Sequence, residues 1–387
     1  MYDVIVVGAR PAGAATAMLL ARRGVKVLVV DRARFPSDTL STHQVQPAGI
    51  DRLRRWGLLD RLLTAGTPVT DRVRFDVGGT VLAGRFPMAA VLCSPRRTVL
   101  DKLLVDAARE AGAEVVEGFH VAGLTRNATG RVDGIRGRDG GEQHAPVVVG
   151  ADGKHSLVAK EVAAPVLREV PARTVASYAY WEGVDLPQGE LYHRPGRAVA
   201  AFPTNDGLTM VYAAAPVEEF GAWRTDVEGH LLRAVDGCGD LGARVRAGRR
   251  AERLRTTIDL PNVVRRAHGP GWFLAGDAAT VMDPVTAQGI SNALADAELL
   301  ADAIEGGHGG EAYQRARDTA RLPIFDLTAG LARLRPPEGL ARLFLRAVAR
   351  RQASTEQFLG VFAGTVPVRT FRRPANVARI LLQRARP

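Results

Sequence analysis

Cysteine and lysine are both scarce in this chain. Cys93 and Cys238 are its only thiols in 387 residues, too few for a disulfide framework and without the clustering that a zinc site needs. Two reduced, partly buried thiols and no metal are therefore expected. Long apolar runs are also missing. None approaches the roughly 20 residues that a bilayer-spanning helix requires, so no membrane span is expected. The first strand pattern begins at Asp3, which leaves no room for a signal peptide and gives a cytoplasmic expectation. Lys26, Lys102, Lys154 and Lys160 are the only lysines, so arginine supplies nearly all the positive charge behind a net +11 and a pI near 10.4. The arginines read as scattered rather than blocked, and Arg369-Thr370-Phe371-Arg372-Arg373-Pro374 is a short run. We take it as a solvated face and expect no nucleic-acid partner. A modest positive field would still attract a phosphate-bearing cofactor or an anionic substrate.

What is present is core. With 46% hydrophobic residues the chain can bury a large interior and is expected to form two intimately joined domains. At its start, Asp3-Val4-Ile5-Val6-Val7 reads as a parallel strand that breaks at Gly8 and leads into an alanine-rich helix, the opening of a dinucleotide-binding βαβ unit. Gly8 permits the tight turn, Pro11 suits a first helical turn, and Gly13 lets the helix lie close on the sheet. A second strand, Val27-Leu28-Val29-Val30, closes with Asp31, where an acidic residue grips ribose hydroxyls. One position departs from the fingerprint: Arg10 stands where the second glycine belongs, so its side chain either points away or contacts phosphate. A complete match to the glycine pattern, Gly237 to Gly242, follows a helical stretch instead of a strand and is read as a loop.

A second chemical block lies far downstream. Trp272 to Ala275 has a buried-strand pattern, Gly276-Asp277 makes a turn, and a helix with strong propensity starts near Gly289. Backbone amides at such a start lack intrahelical partners and carry partial positive charge, which suits a phosphate or an electron-rich ring edge.

Between these blocks, residues 48–66 and 98–111 have helical spacing, and 73–81 and 84–90 read as short strands. Residues 114–117 and 146–149 read as strands too, and 121–138 as a meander. From about 172 to 260 the pattern turns to alternating strands, and 311–360 is mainly helical, with a last helix after Pro367. The expected fold is α/β plus α+β: a Rossmann-like nucleotide domain (1–72, 95–170, 262–335), an inserted antiparallel β-sheet substrate domain (73–94, 171–261) and C-terminal helices (336–387). Such insertions sandwich substrate where two lobes meet.

Three blocks in order, Gly8-Ala9-Arg10-Pro11-Ala12-Gly13 with Asp31, Asp152-Gly153, and Gly276-Asp277 with Gln288-Gly289, make the chain resemble the para-hydroxybenzoate-hydroxylase-like (class A) FAD-dependent monooxygenases. That superfamily also holds geranylgeranyl reductases and flavin halogenases. The resemblance spans roughly residues 1–330 and implies that the nucleotide domain binds FAD. It places Gly8, Arg10, Ala12 and Gly13 at the AMP half, Asp31 at the ribose, and Arg32 beside the adenosine. Ser41, Thr42 and Gln44 fall in the loop along the flavin, Arg97 near the pyrophosphate, and Val121 also at the cofactor. Asp152 and Gly153 carry the Asp-Gly motif, although Ala159 stands where that motif has arginine. Gly276 and Asp277 meet the ribityl chain, and Ala287, Gln288, Gly289 and Ile290 present amides to flavin N1 and O2. Pro284 lies in the loop facing the isoalloxazine.

The activity implied is that of a flavin-dependent oxidoreductase. NADPH or NADH reduces FAD, O2 adds at C4a, and the hydroperoxide hydroxylates an aromatic or polyketide-like small molecule. The cofactor carries the hard chemistry, while the protein positions and tunes it. His43 is the candidate base or hydrogen-bond partner, and Tyr178, Tyr180, Tyr192 and Tyr212 are candidates for substrate contact. The halogenase Trp-x-Trp-x-Ile-Pro signature is missing from the sequence. A geranylgeranyl-type reductase, a Baeyer-Villiger oxygenase and a noncatalytic flavin carrier stay open, as does a homodimer.

Overall fold

The computed structural model describes residues 1–307 and 309–382; the expected C-terminal segment thus includes 383–387, which lie outside the described residues. Strand Val4–Val7, buried throughout, runs into helix α1 (Pro11–Ala21) and returns as strand Val27–Asp31 in parallel register, Val4 opposite Val27. Strand Val147–Gly150 pairs on the other side, and the full six-stranded order runs from His268–Gly269 through Trp272–Leu274, Val147–Gly150, Val4–Val7 and Val27–Asp31 to Glu114–Glu117. Only the His268–Gly269 edge is antiparallel. Both faces are covered, which is why these strands read as unbroken apolar runs. Helices α2 (Arg97–Glu110) and α3 (Gly289–Glu305) both pack on α1, whose small residues allow the close approach. A Cβ on Gly13 would fall 1.8 Å from the Gly8 carbonyl oxygen.

A larger sheet stands beside the nucleotide-binding one. Thr174–Glu182, Gly189–Arg194, Arg197–Pro203 and Thr209–Pro216 are joined antiparallel, and Arg72–Val77 with Thr80–Arg85 extends its edge by pairing parallel to Gly189–Arg194. The sequence pattern carries these two edge strands on to residues 81 and 90. Gly78 and Gly79, both at positive φ, instead turn the chain between them, the conformation glycine adopts at least cost.

Helices α4 (Gly309–Leu331), α5 (Gly339–Ala349), α6 (Gln352–Ala363) and α7 (Pro374–Leu381) follow. The last three cover the edge hairpin through Val77, Leu82, Leu345, Val348, Phe362, Phe371 and Ile380. Among the described residues no helix is long and apolar enough to cross a membrane. Cys93 and Cys238 are both buried and unpaired, and burial pushes each thiol up to about 12. The Gly237–Gly242 stretch links two short helices and takes no part in the cavity described next.

Candidate active site

A cavity of about 550 Å³ runs between the two sheets, within the size range of ligand sites. Gly8 starts its wall. At φ +101°, and with the Ala151 carbonyl oxygen only 2.4 Å from where a Cβ would sit, this position accepts glycine alone. Asp31 fastens the same turn: its Oδ2 accepts the Ala9 amide and its Oδ1 the Ala33 amide, each at 2.7 Å. A carboxylate has about four acceptor sites, so capacity is left on the cavity side, where Arg32, Val121, His120 and Arg138 complete that end.

Arg10 both binds protein and faces the ligand space. Its guanidinium donates to Asp101 Oδ2 at 2.6 Å and to Ser37 Oγ at 3.1 Å, yet it also lines the cavity. Arg97 grips the same carboxylate through two hydrogen bonds of 2.8 and 2.9 Å. One fully buried carboxylate thus holds two arginines and leaves one net positive charge on the wall, in a place suited to phosphate.

Next along the wall, Gly276 and Asp277 face Ala12. Asp277 is open to the cavity but deep within the molecule, and burial pushes its carboxyl above the usual range, against the pull of Arg97 and Lys154. Asp296 on α3 fixes this turn by accepting the Gly276 amide at 3.1 Å. It is itself clasped by Arg317 and Arg321 of α4 at 3.2 and 2.9 Å. Burial alone would raise Asp296, but the two guanidiniums overcome it and hold the carboxyl low.

Two helix starts meet this cavity without side-chain caps: α1, preceded by Arg10, and α3, preceded by Gln288. In α1, whose first residue Pro11 has no N–H, the Ala12 amide, and in α3 the Gly289 and Ile290 amides, stay available to a ligand. The Gln288 side chain is turned to the Phe362 carbonyl at 2.9 Å, so Gln288 backs the wall without lining it, and Gly13 likewise acts from behind. Ala287 supplies a left-handed turn at φ +50° that delivers Gly289 and Ile290 to the wall. Gly153 and Gly289 line the cavity, and a Cβ on either would meet no protein atom within 4 Å; their missing side chains are space for a ligand. An acid, a cationic wall, two uncapped helix starts and glycine-made room in one elongated cavity fit a dinucleotide such as FAD. Asp152 stiffens the Gly153 turn by accepting Ser156 Oγ at 2.5 Å and the Leu157 amide at 2.7 Å.

The remaining predicted residues divide. Ser41, Thr42, Gln44, Pro284, Tyr178 and Tyr212 line the cavity. His43 does not. At φ +58° it is turned into the protein, where its Nε2 meets Tyr180 Oη. Burial, together with Arg97, Arg96 and Arg255, keeps its imidazole well below the ordinary range, so it is a neutral ring bracing the loop. Tyr180 is likewise behind the wall, stacked under Arg96 at 4.1 Å. Tyr192 is on the wrong face. Tyr212 is opposite Ala200, while Tyr192 is opposite Val199, and adjacent residues of a strand point to opposite sides. Tyr192 accordingly packs with Trp181 and Trp223 and donates to Glu190 at 2.7 Å.

Sequence reasoning missed Lys154 and His155, which flank the cavity and both contact Asp259 Oδ2, at 2.9 and 2.7 Å; their place directly after Gly153 was the available signal. It also missed Asp283. This carboxylate accepts Thr174 Oγ1 at 2.6 Å and the Val285 amide at 2.9 Å, and burial lifts it to about 6. A carboxyl raised in the folded state binds its proton more tightly there. The associated stability is full below the unfolded value near 3.8 and is lost as pH rises through about 6. Relative to Asp283→Asn, the wild type should lose up to roughly 3 kcal/mol in urea unfolding between about pH 4 and about pH 7. A pH-independent difference would contradict the burial.

A family model described as FAD binding domain matches residues 1–321, and the chain belongs to that family. It is a flavin-dependent oxidoreductase of the superfamily that holds FAD monooxygenases, geranylgeranyl reductases and flavin halogenases. Menaquinone reductase of Mycolicibacterium smegmatis is 28% identical over 79% of this chain and 76% of its own length. Rifampicin monooxygenase of Rhodococcus hoagii is 30% identical over 77% of this chain, which spans 62% of that relative. In fold, a flavoprotein/dehydrogenase from Cytophaga hutchinsonii superposes with a TM-score of 0.82 at 19% identity, over 98% of each chain.

Proposed function

We propose that this protein is an NAD(P)H-dependent FAD monooxygenase that inserts one atom of O2 into an aromatic or polyketide-like small molecule. The observation that carries the reading is the continuity of the cavity, from the Asp31 end, past both helix starts, into a chamber walled by Tyr178, Tyr212, Leu260, Met282 and Pro284. When bound, FAD would supply hydride acceptance and oxygen activation. Asp31 and Arg32 would hold its adenosine, Arg10 and Arg97 its pyrophosphate, and Asp277 its ribityl chain. Amides at the start of α3 would oppose negative charge at the ring edge, a preorganised electrostatic effect. In the chamber, Leu260 and Met282 exclude water. Tyr212 is fully enclosed, and its hydroxyl has no hydrogen-bond partner among the described residues. A buried hydroxyl without a partner costs about 1–3 kcal/mol, which a substrate oxygen accepting from Tyr212 Oη would offset.

A reductase reading is favoured by the menaquinone reductase relative, and a carrier reading by Ala159 in place of the motif arginine. Anaerobic stopped-flow mixing with NADPH, followed by 18O2 and a panel of phenols and quinones, separates the three. Bleaching of the flavin band, its return with oxygen, and 18O in product are expected. Bleaching with a product that gains hydrogen and no 18O overturns oxygenation, and an unchanged yellow spectrum indicates a carrier.

A further inference from the structure

The positive charge of this protein is segregated. From Arg333 to residue 387 the sequence holds twelve arginines against Glu338 and Glu356, a net +10 of the chain's total of +11. Everything before that point is close to neutral, so the arginines are spread along the chain but the net charge is not. Upstream, arginines are mostly paired, as in Arg52 with Glu298 or Arg194 with Asp76. Among the described residues, Arg342, Arg346, Arg350, Arg369, Arg372 and Arg373 are exposed and have no acidic partner within 4.0 Å.

The same segment exposes its leucines. Helices α5 and α7 pack on each other and, with Phe371 just before α7, bury Leu345, Val348 and Ile380. Outward they leave Leu340 at 84%, Leu343 at 55% and Leu382 at 81% exposure, with Leu381 also exposed. Only Leu40 and Leu167 share that condition elsewhere among the described residues. On α5 the outer stripe reads Arg342, Leu343, Arg346, Arg350, so apolar and cationic groups alternate on one surface. Such a surface is built for an interface that is negative at the headgroups and apolar just beneath. A polyanion such as nucleic acid would use the arginines and leave the leucines in water. A second copy would set like charge against like charge across a self-complementary contact.

We infer that α5 and α7 form a docking surface for an anionic phospholipid bilayer, with the leucines inserted between headgroups and the arginines on them. This stands apart from the oxygenation reading, since it concerns where the protein works. It has one consequence for the cavity. Helix α6, between the two docking helices in sequence, ties to the cavity wall through the Phe362 carbonyl and Gln288, and its Leu359 and Phe362 line a small apolar hollow beside Gln44 and Thr286. A docked protein would hold that end of its site against the membrane.

The test is flotation of the full chain, loaded with FAD, on vesicles of phosphatidylglycerol mixed with phosphatidylcholine against phosphatidylcholine alone. Binding at least about tenfold stronger to the anionic vesicles is expected, given roughly fivefold per arginine near such a surface, and it should weaken as salt is raised. Leu340→Asp with Leu343→Asp, and separately Arg342→Glu with Arg346→Glu and Arg350→Glu, should each remove it while leaving flavin content unchanged. Equal or absent binding to the two vesicle types overturns the inference. So does retention on DNA that the leucine variant keeps, or a dimer that the leucine variant dissociates in protein that ignores vesicles.

Discussion

Asp296→Ala is expected to destabilise the protein by about 3–5 kcal/mol, the cost of removing one partner from a buried ion pair. Arg317 is fully buried and Arg321 nearly so, and both would be left facing each other with no carboxylate between them. The turn would also be freed, because the Gly276 amide loses its acceptor. A urea titration monitored by tryptophan fluorescence measures the first effect, and the flavin absorbance of the purified variant measures the second. A midpoint within error of wild type would mean that the arginines find other partners and that the clasp is not what holds the turn.

Asp277→Ala should remove most of the flavin without a comparable loss of fold. Its carboxylate takes no hydrogen bond from the protein among the described residues, in contrast to Asp31, Asp101, Asp152 and Asp296. Burial pushes its carboxyl up while its side chain stays open to the cavity, so its acceptor capacity is left for a ligand. A hydrogen bond to a charged group contributes about 1.5–3 kcal/mol, so FAD should bind roughly 10- to 150-fold more weakly by fluorescence titration of apoprotein. Asp277→Asn, which keeps the shape and a neutral acceptor, should fall between the two. Unchanged affinity in both would remove Asp277 from the site.

The two glycine turns were readable because each lies in a local strand-turn-helix, where backbone sterics act within a few residues. Residues 4–31 and 272–305 were therefore located to within a residue or two. Side-chain direction was not local. Arg10 is decided by Asp101, which reaches it only when α1 and α2 pack together. The central strand Thr174–Glu182 is buried on both faces, so no alternation of polar and apolar residues marks which tyrosine faces the cavity. Only register across Tyr178 and Tyr212 separates that face from the one carrying Tyr192. His43 reads as a candidate base because it falls in the Ser41–Gln44 loop matched to the flavin side; its positive φ, invisible in the sequence, turns it inward. The orphaned Tyr212 hydroxyl is visible only with every neighbour in place.

Titrating apoprotein with FAD while following flavin fluorescence and absorbance, with AMP as competitor, tests most directly whether one elongated cavity holds the cofactor from the Gly8 turn to the start of α3. We expect one FAD per chain, a yellow complex, and competition by AMP that Asp31→Ala weakens and Asp277→Ala leaves intact. Protein that stays colourless with excess FAD, or that binds it without competition from AMP, would contradict the assignment.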